Sequence, residues 1–381
     1  MGVGRFPQVD GSRPRGPRRA GFLRGLASTS PVAMLVAALL LVPAILGIEA
    51  LFVSGAWSGV PLEYWLRKSS DDYVYVSWTV ARNRQDPPGV PGIYVLGGSS
   101  ARESIVGGGS LARRVEEAGG PPVVAFDLGS MNQNFAQSLA VADNVPLPAL
   151  LVVGVNLGRF TPSKGANQQQ AVGKELLLES EYLRDHVKGI APQYRDDFSI
   201  LPGVFSFLTS YADQQVRGLL AGRLPGRSYG QHRYNQRYLH PVAEKEAMVR
   251  KWNKRRAPVF EKNLEFNLGM LEQLLERSRQ RGVEVVLVEL PRNEEIVAGR
   301  FDWALAMYQP RVRELAGRYG VPYVDFSQEI GLDNEDFHDL SHLVEPGREL
   351  WEQRLAEELA AFYARQGAAG TGSTGDAEDT P

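Results

Sequence analysis

Apolar positions change their spacing along the chain, and each spacing predicts a different element. Residues 32–48 (VAMLVAALLLVPAILGI) carry no charge, and apolar character resumes after Glu49 through Val53. Farther on, short apolar runs of strand length recur at 92–96 (GIYVL), 123–126, 150–155, 283–290 and 321–326. Between them, residues 110–117, 259–281 and 303–319 have helical patterns. Apolar strands separated by helices predict a mostly parallel five-stranded sheet with helices on both faces, a three-layer α/β/α arrangement. Ligands of such sheets bind beyond the carboxyl ends of the strands, where Ser99 and Asn156 fall.

The first apolar stretch is about long enough to cross a bilayer core of ~30 Å. Arg5, Arg13, Arg15, Arg18, Arg19 and Arg24 precede it. The positive-inside rule therefore puts the N-terminus in the cytoplasm and everything after the span outside. A cleaved signal peptide, with Ser54-Gly55-Ala56 as a small-residue site, is the alternative; the apolar region is longer than an ordinary signal core, which favours an uncleaved anchor. The predicted organisation is a basic cytoplasmic leader (1–30), a transmembrane anchor (31–54), a juxtamembrane linker (55–90), a catalytic domain (91–365) and a disordered, low-complexity tail (366–381).

From about 165 to 258 the strand–helix alternation stops. Within it, residues 217–256 hold eleven Lys and Arg against Glu244 and Glu246. Such a segment is either a solvated insertion or a lid that meets anionic lipid headgroups or an anionic glycan. Over the whole chain the formal charge is −2, so there is no nucleic-acid footprint. The chain has no cysteine, which excludes thiol catalysis, disulfides and thiolate zinc sites.

Two segments carry chemistry. LGGSSAR (96–102) ends an apolar run, and its Gly97 and Gly98 permit a sharp turn that exposes Ser99. Alone, the segment reads equally as a helix-capping βα turn with Ser99 or Ser100 as the cap. DLSHL (339–343) breaks the tie by supplying His342 with Asp339 three residues before it. A serine hydroxyl needs a base to take its proton, and the base needs a partner on its other nitrogen. The G-x-S-x-A pattern falls one residue short of the α/β-hydrolase elbow, whose acid and histidine usually lie on separate loops. His338 and His342 also make an H-x-x-x-H spacing, which on a helix would offer two imidazoles to zinc. Pro346 and the polar lead-in place the segment in a loop instead, so no metal site is expected.

In order and spacing these segments resemble the SGNH (GDSL-type) hydrolases, from residue 92 to about 359. Residues 96–99 (LGGS) are similar to that family's serine block, with Gly98 at the aspartate position, as in its GGS-type members. Residues 123–139 (VVAFDLGSMNQNFAQSL) are similar to the second block, with Asn132 where the oxyanion glycine falls; Asn tolerates a left-handed backbone better than most residues. Residues 150–160 (LLVVGVNLGRF) are similar to the third, placing Asn156 as a side-chain donor, with Leu157 where an aspartate often follows. DLSH is similar to the fifth block. The resemblance implies a flavodoxin-like SGNH fold, Ser99 as nucleophile, His342 as base, Asp339 orienting it, and an oxyanion hole from Ser99, Asn132 and Asn156. It also implies a serine esterase that needs no cofactor and acts on an ester-linked acyl group, most plausibly acetyl on a cell-surface carbohydrate. An O-acyltransferase working with a membrane acyl-donor partner, and a catalytically silent glycan-binding or scaffold domain, are the alternatives.

Overall fold

The computed structural model describes residues 30–171, 175–190, 200–222 and 226–371. The leader (1–29) and residues 372–381 of the tail lie outside the described residues. The chain divides into two compact units, Met1–Ala50 and Leu51–Pro381. The described part of the first is helix α1 (Pro31–Ser54), which runs on into the second. Among the described residues it is the one helix long and apolar enough to cross a membrane, with a mean hydropathy of 2.6.

In the second unit the stretch expected as a linker is folded. Helix α2 (Asp72–Gln85) buries Val74, Val76 and Val80, and Trp57 and Leu66 before it are fully buried as well. Strand β1 (Gly92–Leu96) follows, then the short α3 (Ser99–Arg102) and α4 (Gly108–Glu117). Next come β2 (Val124–Asp127), α5 (Phe135–Ala142) and β3 (Ala149–Val155). The crossover from β3 to β4 contains the expected insertion, and its described part holds the helices α6 (Lys164–Ala171), α7 (Glu181–Ile190), α8 (Leu201–Leu220), α9 (Val242–Arg255) and α10 (Ala257–Arg281), with an irregular stretch over 226–241. The chain closes with β4 (Glu284–Glu289), α11 (Glu294–Val297), α12 (Asp302–Tyr319), β5 (Tyr323–Val324) and α13 (Gly347–Thr371). The start of the expected disordered tail therefore belongs to α13.

All five strands are parallel, in the order β2-β1-β3-β4-β5. Every residue of β1 and β3 is buried, because in a sheet covered on both faces neither side of the pleat meets water. Alternate residues feed two cores. Tyr94, Leu96, Leu151 and Val153 join α5, α10 and α12 on one face; Ile93, Val95, Leu150 and Val152 join α4 and α13 on the other.

The expected fifth strand shrinks to two residues. Val321 spends its N–H on Ala316 at the end of α12, and Pro322 has none to give. After Val324, the Asp325 side chain accepts from the N–H and hydroxyl of Ser327 and turns the chain away.

Candidate active site

The site grows from the carboxyl end of β1. Gly97 follows the strand at φ 153°, and a Cβ there would stand 2.6 Å from the Ala101 side chain; any other residue would push the turn open. The turn is pinned from the second block: Gln133 accepts the Gly97 N–H at 2.7 Å, and Ser130 donates to the Gly97 carbonyl at 3.0 Å. Gly129 permits this approach, since a Cβ at that position would lie 2.7 Å from the Arg102 backbone nitrogen. Gly98 then starts α3 with no side-chain cap, so the first N–H groups of the helix, that of Ser99 among them, lack an intrahelical partner.

His342 meets Ser99 from the other end of the chain. Its Nε2 lies 2.8 Å from Ser99 Oγ, and its Nδ1 lies 2.8 and 2.9 Å from the two carboxylate oxygens of Asp339. An imidazole protonated on Nδ1 donates to Asp339 and leaves Nε2 to accept from the serine hydroxyl. Asp339 also accepts the backbone N–H groups of Ser341 and His342, so the carboxylate and the imidazole share one turn. Burial raises the Asp339 carboxyl, but the hydrogen bond from His342, its charge and the two backbone N–H groups outweigh this and hold it at about 2.

The loop is braced on several sides. Phe337 and Leu343 form an antiparallel bridge. Asn293 donates to the Leu340 carbonyl at 3.0 Å, and Lys245 Nζ, from the insertion, donates to the carbonyls of Asn334 and Phe337. The segment is not helical, so the two-imidazole zinc geometry is absent. His338 instead stacks on Tyr234 at 4.1 Å, and the same tyrosine ring lies 4.9 Å from His342. Ser100 turns elsewhere, its hydroxyl 3.1 Å from that of Ser341.

Ser99, Asn132 and Asn156 all line one cavity of about 660 Å³. Asn156 follows β3 directly; its side-chain oxygen accepts the Arg159 N–H at 3.2 Å, which fixes the amide with its NH₂ as the uncommitted end. Asn132 has φ 56°, the left-handed conformation that asparagine tolerates.

Sequence reasoning missed several supporting residues. Arg159 is 2% exposed; its guanidinium donates to the Gly154 carbonyl and to Ser138 Oγ and lies 4.2 Å from the centre of the Phe135 ring. Its Nε has no partner. Burial with no carboxylate nearby pushes it down to about 9. A lone arginine three residues after Asn156, in an otherwise apolar block, is the only sequence signal for it. From the insertion, Arg233 reaches over α3 to the Arg102 and Ile105 carbonyls and pairs with Asp127. Asp127 is raised to about 6, by burial foremost, with the Arg233 charge opposing.

No protein-family model and no curated protein matches the chain.

Proposed function

We propose that the second unit is a serine esterase of the SGNH type, with a flavodoxin-like arrangement of its sheet, acting on an ester-linked acyl group. One observation carries this reading: an unbroken hydrogen-bonded relay from Ser99 through His342 to Asp339, opening on a cavity. Ser99 Oγ attacks the ester carbonyl carbon while its proton passes to His342 Nε2. The Ser99 amide, Asn156 Nδ2 and the Asn132 backbone hold the developing oxyanion. The intermediate collapses as the imidazolium returns the proton to the leaving alcohol, and the acyl group stays on Ser99. Water, its proton taken by His342, then releases the acid. Asp339 stays ionised throughout, holding the tautomer and balancing the imidazolium.

The polar lining, with Asn132, Asn134, Asn156 and Thr161 beside Trp252, supports a short acyl group on a hydroxyl-rich carrier over a long acyl chain. Helix α1 supports a membrane anchor, and the arginine-rich leader supports a catalytic domain outside the cytoplasm. The anchor also favours a second reading, an O-acyltransferase that receives its acyl group from a membrane partner and passes it from Ser99 to a carbohydrate hydroxyl.

Fluorophosphonate labelling of the full-length protein tests the core of the proposal, because only an activated serine reacts. Labelling that disappears in Ser99→Ala and persists in Ser100→Ala is expected. A wild-type protein that fails to label overturns it. Transfer is separated from hydrolysis by a chain beginning at Leu51, which keeps Phe52 stacked on Trp57: aryl acetate turnover without modification of surface carbohydrate in cells assigns the anchor to a donor partner.

A further inference from the structure

The basic run in the insertion reaches the cavity. Helix α9 ends at Arg255, and Arg256 is the corner residue that joins it to α10, its N–H bonded to the Trp252 carbonyl. Trp252 and Arg256 both line the cavity that holds Ser99. Trp252 is half-buried, its ring 4.7 Å from that of Phe301. Lys251, Lys254, Arg255 and Arg256 are all exposed, and none of them has a carboxylate partner among the described residues.

The cavity's lining holds two cations against one carboxylate. Arg256 stands at its edge and Arg159 in its wall, the latter buried without a compensating anion. The sole carboxylate among the lining residues is Glu175, raised by burial with the Tyr73 hydrogen bond opposing. A cavity with low-dielectric walls and an excess of cations focuses a positive potential on whatever enters. The remaining lining is mostly amides and hydroxyls, with the rings of Tyr73 and Trp252 among them, which suit sugar hydroxyls and a sugar face. An open basic face alone would serve a lipid surface; the amides and hydroxyls behind these cations favour a polyhydroxylated anion.

We propose that this site takes an anionic carbohydrate, with Arg256 pairing with a carboxylate or phosphate of the sugar, Trp252 forming the wall against its ring, and Lys251, Lys254 and Arg255 gripping the polymer beyond the cavity. The substrate role rests on the esterase reading; the binding role does not. Specificity in such a site comes from charge complementarity and weakens as salt screens it.

The test compares two O-acetylated oligosaccharides of equal length on the full-length protein: a polyuronate and a neutral xylo-oligosaccharide. A kcat/KM ratio of roughly tenfold or more for the polyuronate is expected, carried by KM and shrinking with added salt. Arg256→Gln should lower that ratio several-fold and Arg256→Lys restore most of it. The Gln variant of all four cations should abolish it while the thermal melting profile stays that of the wild type. Equal kcat/KM for the two substrates, or a ratio indifferent to Arg256→Gln, overturns the proposal. Reconstitution in phosphatidylcholine vesicles with and without phosphatidylglycerol gives the lipid outcome: if the four cations control only a dependence of aryl acetate turnover on the anionic lipid, the rim is a membrane contact and the proposal falls. Should the wild type hydrolyse no ester, titration calorimetry on Ser99→Ala decides binding separately. Tighter binding of the polyuronate keeps this inference while the esterase reading fails, and equal binding overturns it.

Discussion

The carboxyl ends of β1 and β4 each carry a polar cluster, and they differ in whether anything is left unused. At β4, Glu289 is fully buried and accepts from Tyr308, from Tyr323 at 2.7 Å and from Arg292 at 2.8 Å. Burial raises its carboxyl to about 7, against the opposing charge of Arg292 and the two tyrosine hydrogen bonds. By acidity alone it matches a general base better than any other carboxyl in the domain. Yet each of its oxygens is committed inside the fold. At β1 and its neighbour β3, by contrast, Ser99 and the amide of Asn156 face a cavity. A perturbed acidity marks a site only where a substrate has room to reach it.

Substitutions can break this contrast. Ser99→Ala and His342→Ala should each lower kcat/KM by about 10⁴-fold or more, because serine and base act as one unit. Under the same aryl acetate assay, Glu289→Gln should cost less than about tenfold, as expected of a change that disturbs only the surrounding fold. A comparable loss at Glu289 would move the chemistry to β4.

Next in size is the oxyanion side. Asn156→Ala should lower kcat roughly 10²-fold with KM little changed, the signature of a donor that matters most in the transition state. A selective rise in KM would make Asn156 a substrate-binding group instead.

Arg159→Met should lower kcat by about tenfold, through the lost bond to the Gly154 carbonyl at the end of β3 and the lost positive field behind the oxyanion. Arg159→Lys should recover part of that loss, since the charge remains while the fork of hydrogen bonds does not. Full activity in the Met variant would reduce Arg159 to a packing residue. A smaller effect still is expected for His338→Ala, only a few-fold, and a chelator should leave turnover unchanged; activity lost to chelation and restored by zinc would replace the serine mechanism.

The last prediction concerns stability and bears on the β4 cluster alone. Glu289 binds its proton more tightly in the folded chain than in the unfolded one. Its contribution is therefore complete below about 4.5, its ordinary value, and is lost as pH rises through about 7. Asp339 runs the opposite way, contributing above its ordinary value of 3.8 and losing that contribution as pH falls through about 2. Denaturant midpoints measured from pH 4 to 8 should decline as pH rises to about 7 in the wild type and decline less steeply in Glu289→Gln, where Asp127, raised to about 6, still contributes. An unchanged slope would mean that the buried carboxyl titrates as it does in water.

Much of this was legible in the sequence, for reasons of range. The five apolar runs announce strands because burial on both faces leaves no polar alternation to confuse them, although Pro322 and the Asp325 turn cut the last one short. Asp339 and His342 are legible as a pair because the three-residue spacing lets one local turn join them. Gln133 and Arg159 are not, because their roles depend on Gly97, 36 residues away, and Ser138, 21 residues away. Tyr234 and Arg233 sit in an insertion whose basic composition reads as a solvated surface, and only folding lays them across α3 and the histidine.

Ser99 and His342 touch although 243 residues separate them. The serine is placed by an early strand; the base is placed by a loop that leads directly into α13, where Glu352 accepts from Ser110 and from the Val106 and Gly107 N–H groups. On the esterase reading, synthesis delivers the nucleophile long before its activator, and a chain interrupted ahead of that helix holds a chemically quiet hydroxyl. Turnover then becomes a gauge of completion: partial denaturation that peels α13 from its seat should silence the protein before the sheet melts, and activity should return only when the Ser99 turn and the His342 loop have come together again.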